Sequence, residues 1–214
     1  MNKKIITNPD AQVPMSRSEQ KRRQVLQSAI ELFCNNGFPN TSMDEVAKHA
    51  GVSKQTVYSH FGSKDDLFIS AIESKCVVHQ LTGYLLDDPA NPEKALATFA
   101  EHFGEMIVTE EALTVFKACV AQYDTHPETS QLYYDAGPEH VFQLLESFFC
   151  EINKLGKYHF DKPRDCAVRL CLMLFGEQRM RLELGLDAQL LTASRTSYLA
   201  DTASMFLRAY EVRS

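Results

Sequence analysis

Apolar residues recur at helical spacing along almost the whole chain. Val25, Leu26, Ala29, Ile30 and Phe33 share one face of a helix predicted from about residue 18 to 36, and Asn36-Gly37 is its stop signal. Met43, Val46 and Ala47 form a second short stripe just after Thr41 and Ser42. Either hydroxyl can cap that helix, and Glu45 lies three residues beyond Ser42 as a capping box requires. Gly51 is the residue best able to take the left-handed conformation that ends the segment and redirects the chain. Ser53 caps a third helix in which Val57 and Phe61, four residues apart, point inward. That leaves Lys54, Gln55, Thr56, Tyr58, Ser59 and His60 on its remaining surface. Ala47 is small where two helices must cross closely.

The helical pattern continues to the end of the chain. A fourth helix is expected from near Lys64 to about Leu86, where Asp87-Asp88-Pro89 and Asn91-Pro92 break it. Further helices are predicted over about 93–108, 111–123 and 128–154, the last interrupted by Gly137-Pro138. Pro163 opens a helix that ends near Leu184-Gly185, and a final one runs from about Leu190 to Val212. No stretch sustains strict apolar-polar alternation, so the expected fold is all-α. There are no repeats or low-complexity tracts.

Two short helices joined by a three-residue turn are the layout used to lay a helix in a DNA groove. The side chains left outside fit that use. Lys54 and Gln55 can donate to base edges, Thr56 offers a methyl or hydroxyl, and Tyr58 and His60 can reach phosphate oxygens from the flanks. Spacing alone equally describes an ordinary helical hairpin with a solvated face.

The residues between Ser18 and about Leu67 add a denser pattern. Thr41, Val46-Ala47, Ala50-Gly51-Val52-Ser53, Val57-Tyr58, His60-Phe61, Lys64 and Leu67 stand at the spacing of the TetR family of bacterial regulators, which this run, about a quarter of the chain, resembles. The resemblance implies a three-helix helix-turn-helix head joined by a long helix to a helical body that binds an effector and dimerises. It implies DNA contact by Ser42, Lys54, Gln55, Tyr58, His60 and Lys64, with Thr41, Ser53 and Thr56 of the same motif completing the candidate set. Base readout falls to Lys54 and Gln55, with Thr56 as a further reader, and phosphate anchoring to Tyr58 and Lys64. The expected division is a flexible arm over 1–15, the head over 16–63 and the body over 64–214.

Charge agrees with that division. Residues 1–64 hold nine Lys or Arg against five Asp or Glu, a balance of +4, and the whole chain carries −6, leaving −10 for residues 65–214. Exposed charges act over a Debye length of roughly 8 Å at physiological salt, so a basic head binds a polyanion although the chain is acidic overall. Lys21-Arg22-Arg23, after Arg17, reads either as phosphate contacts beside the groove or as a solubilising helix end.

The body is rich in aromatic residues and methionine, which at helical spacing normally fill a core. The resemblance implies an effector cavity there, and Phe99, Phe103, Met106, Phe116, Tyr123, Phe142 and Phe175 are its candidate lining. Glu177, Gln178, Arg179 and Arg181 can supply polar groups to it or lie on the surface. An apolar cavity with few polar groups suits a hydrophobic or amphipathic small molecule. Ala167, Leu170, Cys171, Leu174 and Phe175 form an apolar stripe that Leu191, Tyr198, Leu199, Thr202, Met205, Phe206, Ala209 and Tyr210 repeat on the last helix. The stripes either cover the chain's own core or, as the resemblance implies, build a homodimer suited to a palindromic operator.

The resulting expectation is a ligand-responsive DNA-binding transcriptional regulator, a repressor that releases double-stranded operator DNA when its effector binds. Alternatives on the same scaffold are an activator and a thiol-based redox sensor. A remote alternative is an α-helical metal-dependent enzyme. His102, His126, His140 and His159 lack ligand spacing and no glycine loop cradles a phosphate, so no catalytic residue, metal or cofactor is expected. The six cysteines form no Cys-x-x-Cys pair and sit mostly among apolar neighbours, where they pack as small hydrophobes. No run of 18 or more apolar residues appears and the N-terminus lacks a secretory core, so no membrane partner and a cytoplasmic location are expected.

Overall fold

A computed structural model describes residues 16–78, 81 and 83–212; the expected arm over 1–15 lies outside the described residues. Ten α-helices occur among these residues, and the nearest thing to a strand is an isolated bridge between Tyr158 and Glu211. The head comprises α1 (Arg17–Asn36), α2 (Met43–His49), α3 (Lys54–Phe61) and the start of α4 (Lys64–Val78). The body comprises α5 (Pro92–Ile107), α6 (Glu110–Ala121), α7 (Pro127–Tyr134), α8 (His140–Leu155), α9 (Pro163–Glu183) and α10 (Gln189–Ala209).

Local signals set the head's helix boundaries. Ser42 Oγ accepts the Glu45 N–H at 3.2 Å while the Glu45 carboxylate accepts the Ser42 N–H at 2.8 Å, which completes the capping box. Gly51 takes φ +64, and the Val52 N–H closes on the Ala47 carbonyl at 3.0 Å, turning the chain into α3. Ser53 and Ser63 cap the next two helices by accepting the Thr56 and Asp66 N–H groups at 3.2 and 3.0 Å. Val25, Ala29, Phe33, Val46, Val57, Phe61, Leu67 and Phe68 form the buried centre of the head, and Cys119 of α6 belongs to the same cluster. The head therefore packs directly on the body.

The body has its own core, in which Phe99, Leu145, Phe149, Phe160, Leu170 and Phe206 from α5, α8, α9, α10 and the α8–α9 loop are almost wholly buried. Two buried arginines bind its helices together. Arg195 of α10 donates to the Gly104 carbonyl of α5 at 2.7 and 3.2 Å. Arg179 of α9 donates to the Ile107 carbonyl and, at 2.6 Å, to Glu183.

Two sequence expectations are corrected, and two that the sequence leaves open are narrowed. α4 is described as far as Val78 and does not run to Leu86, because Gly83–Leu86 form a separate 3-10 turn. Leu81 and Leu86 are both buried in the body core, yet five residues apart on one α-helix they would face roughly 140° away from each other. Gly137-Pro138 does interrupt the run: a single π-type turn over Asp135–Glu139 holds the proline between α7 and α8. In α9, Gly176 leaves helical geometry with φ +61 and ψ −176, a conformation essentially restricted to glycine. Finally, Ala167, Leu170, Cys171 and Leu174 are spent in the chain's own core. The large apolar side chains left exposed on the last two helices and the loop between them are Leu172, Met180, Leu184, Leu186, Leu190, Tyr198 and Met205, with Leu190 as much as 91% exposed.

Candidate nucleic-acid interface and internal cavity

α3 is held by its two inward residues, Val57 and Phe61, and presents Lys54, Gln55, Tyr58 and Ser59 to solvent, with Thr56 and His60 half-buried. Lys54 pairs with Asp44 of α2 at 2.8 Å, and that carboxylate raises the lysine's pKa. Both partners are well exposed, so exchanging this pair for a DNA contact costs little. Ser53 Oγ lies 2.8 Å from Thr56 Oγ1, so these two hydroxyls already serve the cap. The Ser42 hydroxyl donates to Glu45 at 2.8 Å, and the N–H and hydroxyl of Ser42 together lower the Glu45 carboxyl pKa.

Two members of the candidate set are tied into the fold. Thr41 is 2% exposed and its hydroxyl donates to the Gly37 carbonyl at 2.9 Å, with the Leu32 carbonyl at 3.2 Å. Its side chain is a strut between α1 and α2, which corrects its expectation as a DNA contact. Lys64 is half-buried; its ammonium donates to the Pro39 carbonyl at 3.2 Å and sits 4.4 Å from the Phe38 ring centre, and burial lowers its pKa. It anchors the first turn of α4 to the α1–α2 loop and keeps two donors for another acceptor. Arg22, outside the motif set, places its guanidinium 4.8 Å from the Phe61 ring centre. This cation thereby joins α1 to the end of α3, where sequence alone left the basic run undecided.

Between head and body lies an internal cavity of about 130 Å³. Phe103, Met106, Phe142 and Phe175 of the candidate lining are on its wall, together with Ile30, Phe33 and Cys34 of α1 and Phe68, Ala71 and Ile72 of α4. The other three candidates lie elsewhere. Phe99 is fully buried against Phe103, with ring centres 5.4 Å apart; Phe116 packs on Arg179; and Tyr123 is 61% exposed at the end of α6. Of the four polar candidates on α9, Arg179 reaches the wall. Burial pushes the Cys119 thiol up to about 11 and raises Cys171 as well, the opposite of what a thiolate sensor needs. No group of three or more His, Cys, Asp or Glu able to hold a metal occurs among the described residues, and no helix among them is long and apolar enough to cross a membrane.

Residues 25–71 match the pattern of bacterial regulatory proteins of the tetR family, and residues 94–212 match the C-terminal domain of AefR-like transcriptional repressors. The chain belongs to the TetR family. TetR-family relatives include the HTH-type transcriptional regulator AcrR of Shigella flexneri, 35% identical over 96 residues that cover 44% of this chain and 45% of that protein. The fatty acid metabolism regulator protein of Bacillus subtilis (strain 168) is 26% identical over 91 residues, 42% of this chain and 47% of the relative. The chain thus spans less than half the length of these two relatives. Solved structures agree over nearly the whole fold. A TetR-family transcriptional regulator from Mesorhizobium loti MAFF303099 superposes with a TM-score of 0.74 at 26% identity, covering 92% of this chain and all of the other. The flavonoid-responsive regulator FrrA superposes with a TM-score of 0.71 at 29% identity, covering 91% of this chain and 99% of its own.

Proposed function

We propose that this TetR-family regulator is a dimeric repressor that reads a palindromic operator with α3 and releases it when a small apolar molecule enters the cavity. Lys54 and Gln55 read base edges from the exposed side of α3, while Tyr58, Ser42, His60 and the free donors of Lys64 meet phosphates. Thr56 contributes its methyl to base contact, since its hydroxyl and that of Ser53 are engaged in the cap. The exposed apolar side chains of α9 and α10 supply a self-complementary four-helix interface, and two-fold symmetry matches two half-sites.

The observation that carries the reading is the composition of the cavity wall, which α1 and α4 of the head share with α5, α6, α8 and α9 of the body. A ligand held there touches the head directly, so any difference in its affinity for two head positions becomes a difference in head separation. A usual coupling of roughly 1–3 kcal/mol corresponds to a several-fold to hundredfold change in operator affinity. Selection of bound duplexes from a random pool tests this: a palindrome is expected, and failure to enrich any sequence at low ionic strength overturns the reading. The protein is expected to remain in the bacterial cytoplasm, where its operator is.

A further inference from the structure

The cavity wall restricts the chemistry of its occupant more tightly than apolarity alone. Among the described residues, six rings from six elements line it: Phe33, Phe68, Phe103, Tyr133, Phe142 and Phe175. Such walls favour a ring that packs edge-to-face or offset against them. The volume of about 130 Å³ is close to the engineered cavity of roughly 150 Å³ that holds benzene, so the space accepts one aromatic ring with small substituents.

The Arg179 charge on the wall is already neutralised. Arg179 is 3% exposed; its Nε donates to Glu183 at 2.6 Å and its Nη1 to the Ile107 carbonyl. The guanidinium is further enclosed, 4.9 Å from the Phe116 ring centre and 5.6 Å from that of Phe175. An incoming carboxylate finds the Arg179 charge already balanced by Glu183 and so brings a net negative charge into a buried site. An ammonium finds Glu183 engaged and the Arg179 charge beside it; Glu111, also on the wall, is exposed to water, which screens its charge toward either ion. Among the described residues, Tyr133 is the one lining side chain with an uncharged oxygen or nitrogen. Its hydroxyl neighbours Arg179, and burial raises its pKa, so it stays a protonated donor and acceptor.

We infer that the effector is an uncharged one-ring aromatic molecule with a single hydrogen-bonding substituent, of the phenol class, seated among the six rings with its polar group toward Tyr133. The inference rests on the ligand-responsive reading above and narrows it. It comes from the walls of this protein: a three-ring flavonoid exceeds the cavity's volume of about 130 Å³.

Calorimetric titration of the full-length protein with five probes tests it: 4-ethylphenol, ethylbenzene, 4-ethylbenzoate, 4-ethylbenzylammonium and the flavonoid naringenin. 4-Ethylphenol is expected to bind most tightly, and Tyr133→Phe to weaken it roughly threefold to tenfold while leaving ethylbenzene unchanged, as the loss of one hydrogen bond predicts. Ala112→Trp, which fills the cavity from α6, is expected to abolish binding of both neutral probes while α-helical content and operator binding persist. Binding of the carboxylate, the ammonium or naringenin as tightly as 4-ethylphenol overturns the inference and leaves the ligand-responsive reading standing. No binding of 4-ethylphenol also overturns it. If, in addition, neither these probes nor a small-molecule extract of bacterial cells releases the selected operator, the ligand-responsive reading falls too.

Discussion

The hydroxyl of Tyr198 on α10 donates to the Met173 carbonyl of α9 at 2.5 Å, beside the break that Gly176 makes in that helix. The two features depend on each other: a Cβ on Gly176 meets Tyr198 Cε1 at 2.8 Å, so the ring lies where only glycine leaves room. Gly176→Ala is expected to destabilise the protein by about 1–3 kcal/mol through the positive φ and the clash together. Tyr198→Phe, which removes only the hydroxyl, costs about 0.5–1.5 kcal/mol. Urea unfolding of both variants checks the order, and equal midpoints would contradict it.

Thr41 and Gln55 separate support from readout. Thr41→Val removes the one hydroxyl proton that the Gly37 and Leu32 carbonyls share and is expected to cost about 1–3 kcal/mol of stability while the base preference of the protein stays the same. Gln55→Ala leaves stability unchanged and relaxes preference at one base pair by about 1–3 kcal/mol. Melting curves alongside operator titrations read both outcomes.

Lys64 combines the two roles. Lys64→Ala loses the bond to the Pro39 carbonyl, at a cost of about 1 kcal/mol in stability. It is also expected to weaken binding to every duplex alike and reduce the salt slope by about 1. An unchanged slope would limit Lys64 to holding α4 in place.

The thiols should divide by burial. Cys150 is exposed, whereas Cys119, Cys166 and Cys171 are buried, and burial raises the Cys119 thiol to about 11. Native alkylation followed by peptide mass spectrometry is expected to label Cys150 first and these three slowly. Rapid labelling of Cys119 or Cys171 would reopen the redox alternative.

Glu93 offers a pH test. Lys157 at 2.5 Å and the Tyr158 hydroxyl at 2.7 Å lower its pKa from an ordinary 4.5 to about 2. A carboxylate depressed in the folded state stabilises it fully above pH 4.5, and that contribution disappears as pH falls toward 2. The melting temperature of wild type is expected to exceed that of Glu93→Gln at pH 6, with the gap narrowing below pH 4.5. More than half of each charged side chain is exposed, so the gap is small and shrinks in salt.

The head was legible in the sequence because its determinants are local. Ser42, Glu45, Gly51 and Ser53 act within one turn of their own positions, and the inward pair Val57 and Phe61 fixes which side of α3 is free. Features set by distant partners were not. The 3-10 turn in place of a continuous helix to Leu86 depends on Leu81 and Leu86 both entering the body core, and the break at Gly176 depends on a tyrosine 22 residues later. Thr41 occupied a motif position whose polarity suggested contact with DNA, whereas the carbonyls that claim its hydroxyl are visible only once α1 and α2 are packed. Arg179 reads as a surface residue until Glu183 and the Ile107 carbonyl surround it. On α9 apolar side chains occur on more than one face, so periodicity alone did not tell the core stripe from the exposed one.

Cys119 completes the hydrophobic centre of the first four helices from a position on the sixth. The reading part is therefore not a detachable cassette. A fragment cut after α4 would turn the flanks of Phe33 and Phe68 to water, and a chimera with a sister regulator needs its seam beyond α6 if the transplanted half is to stay folded.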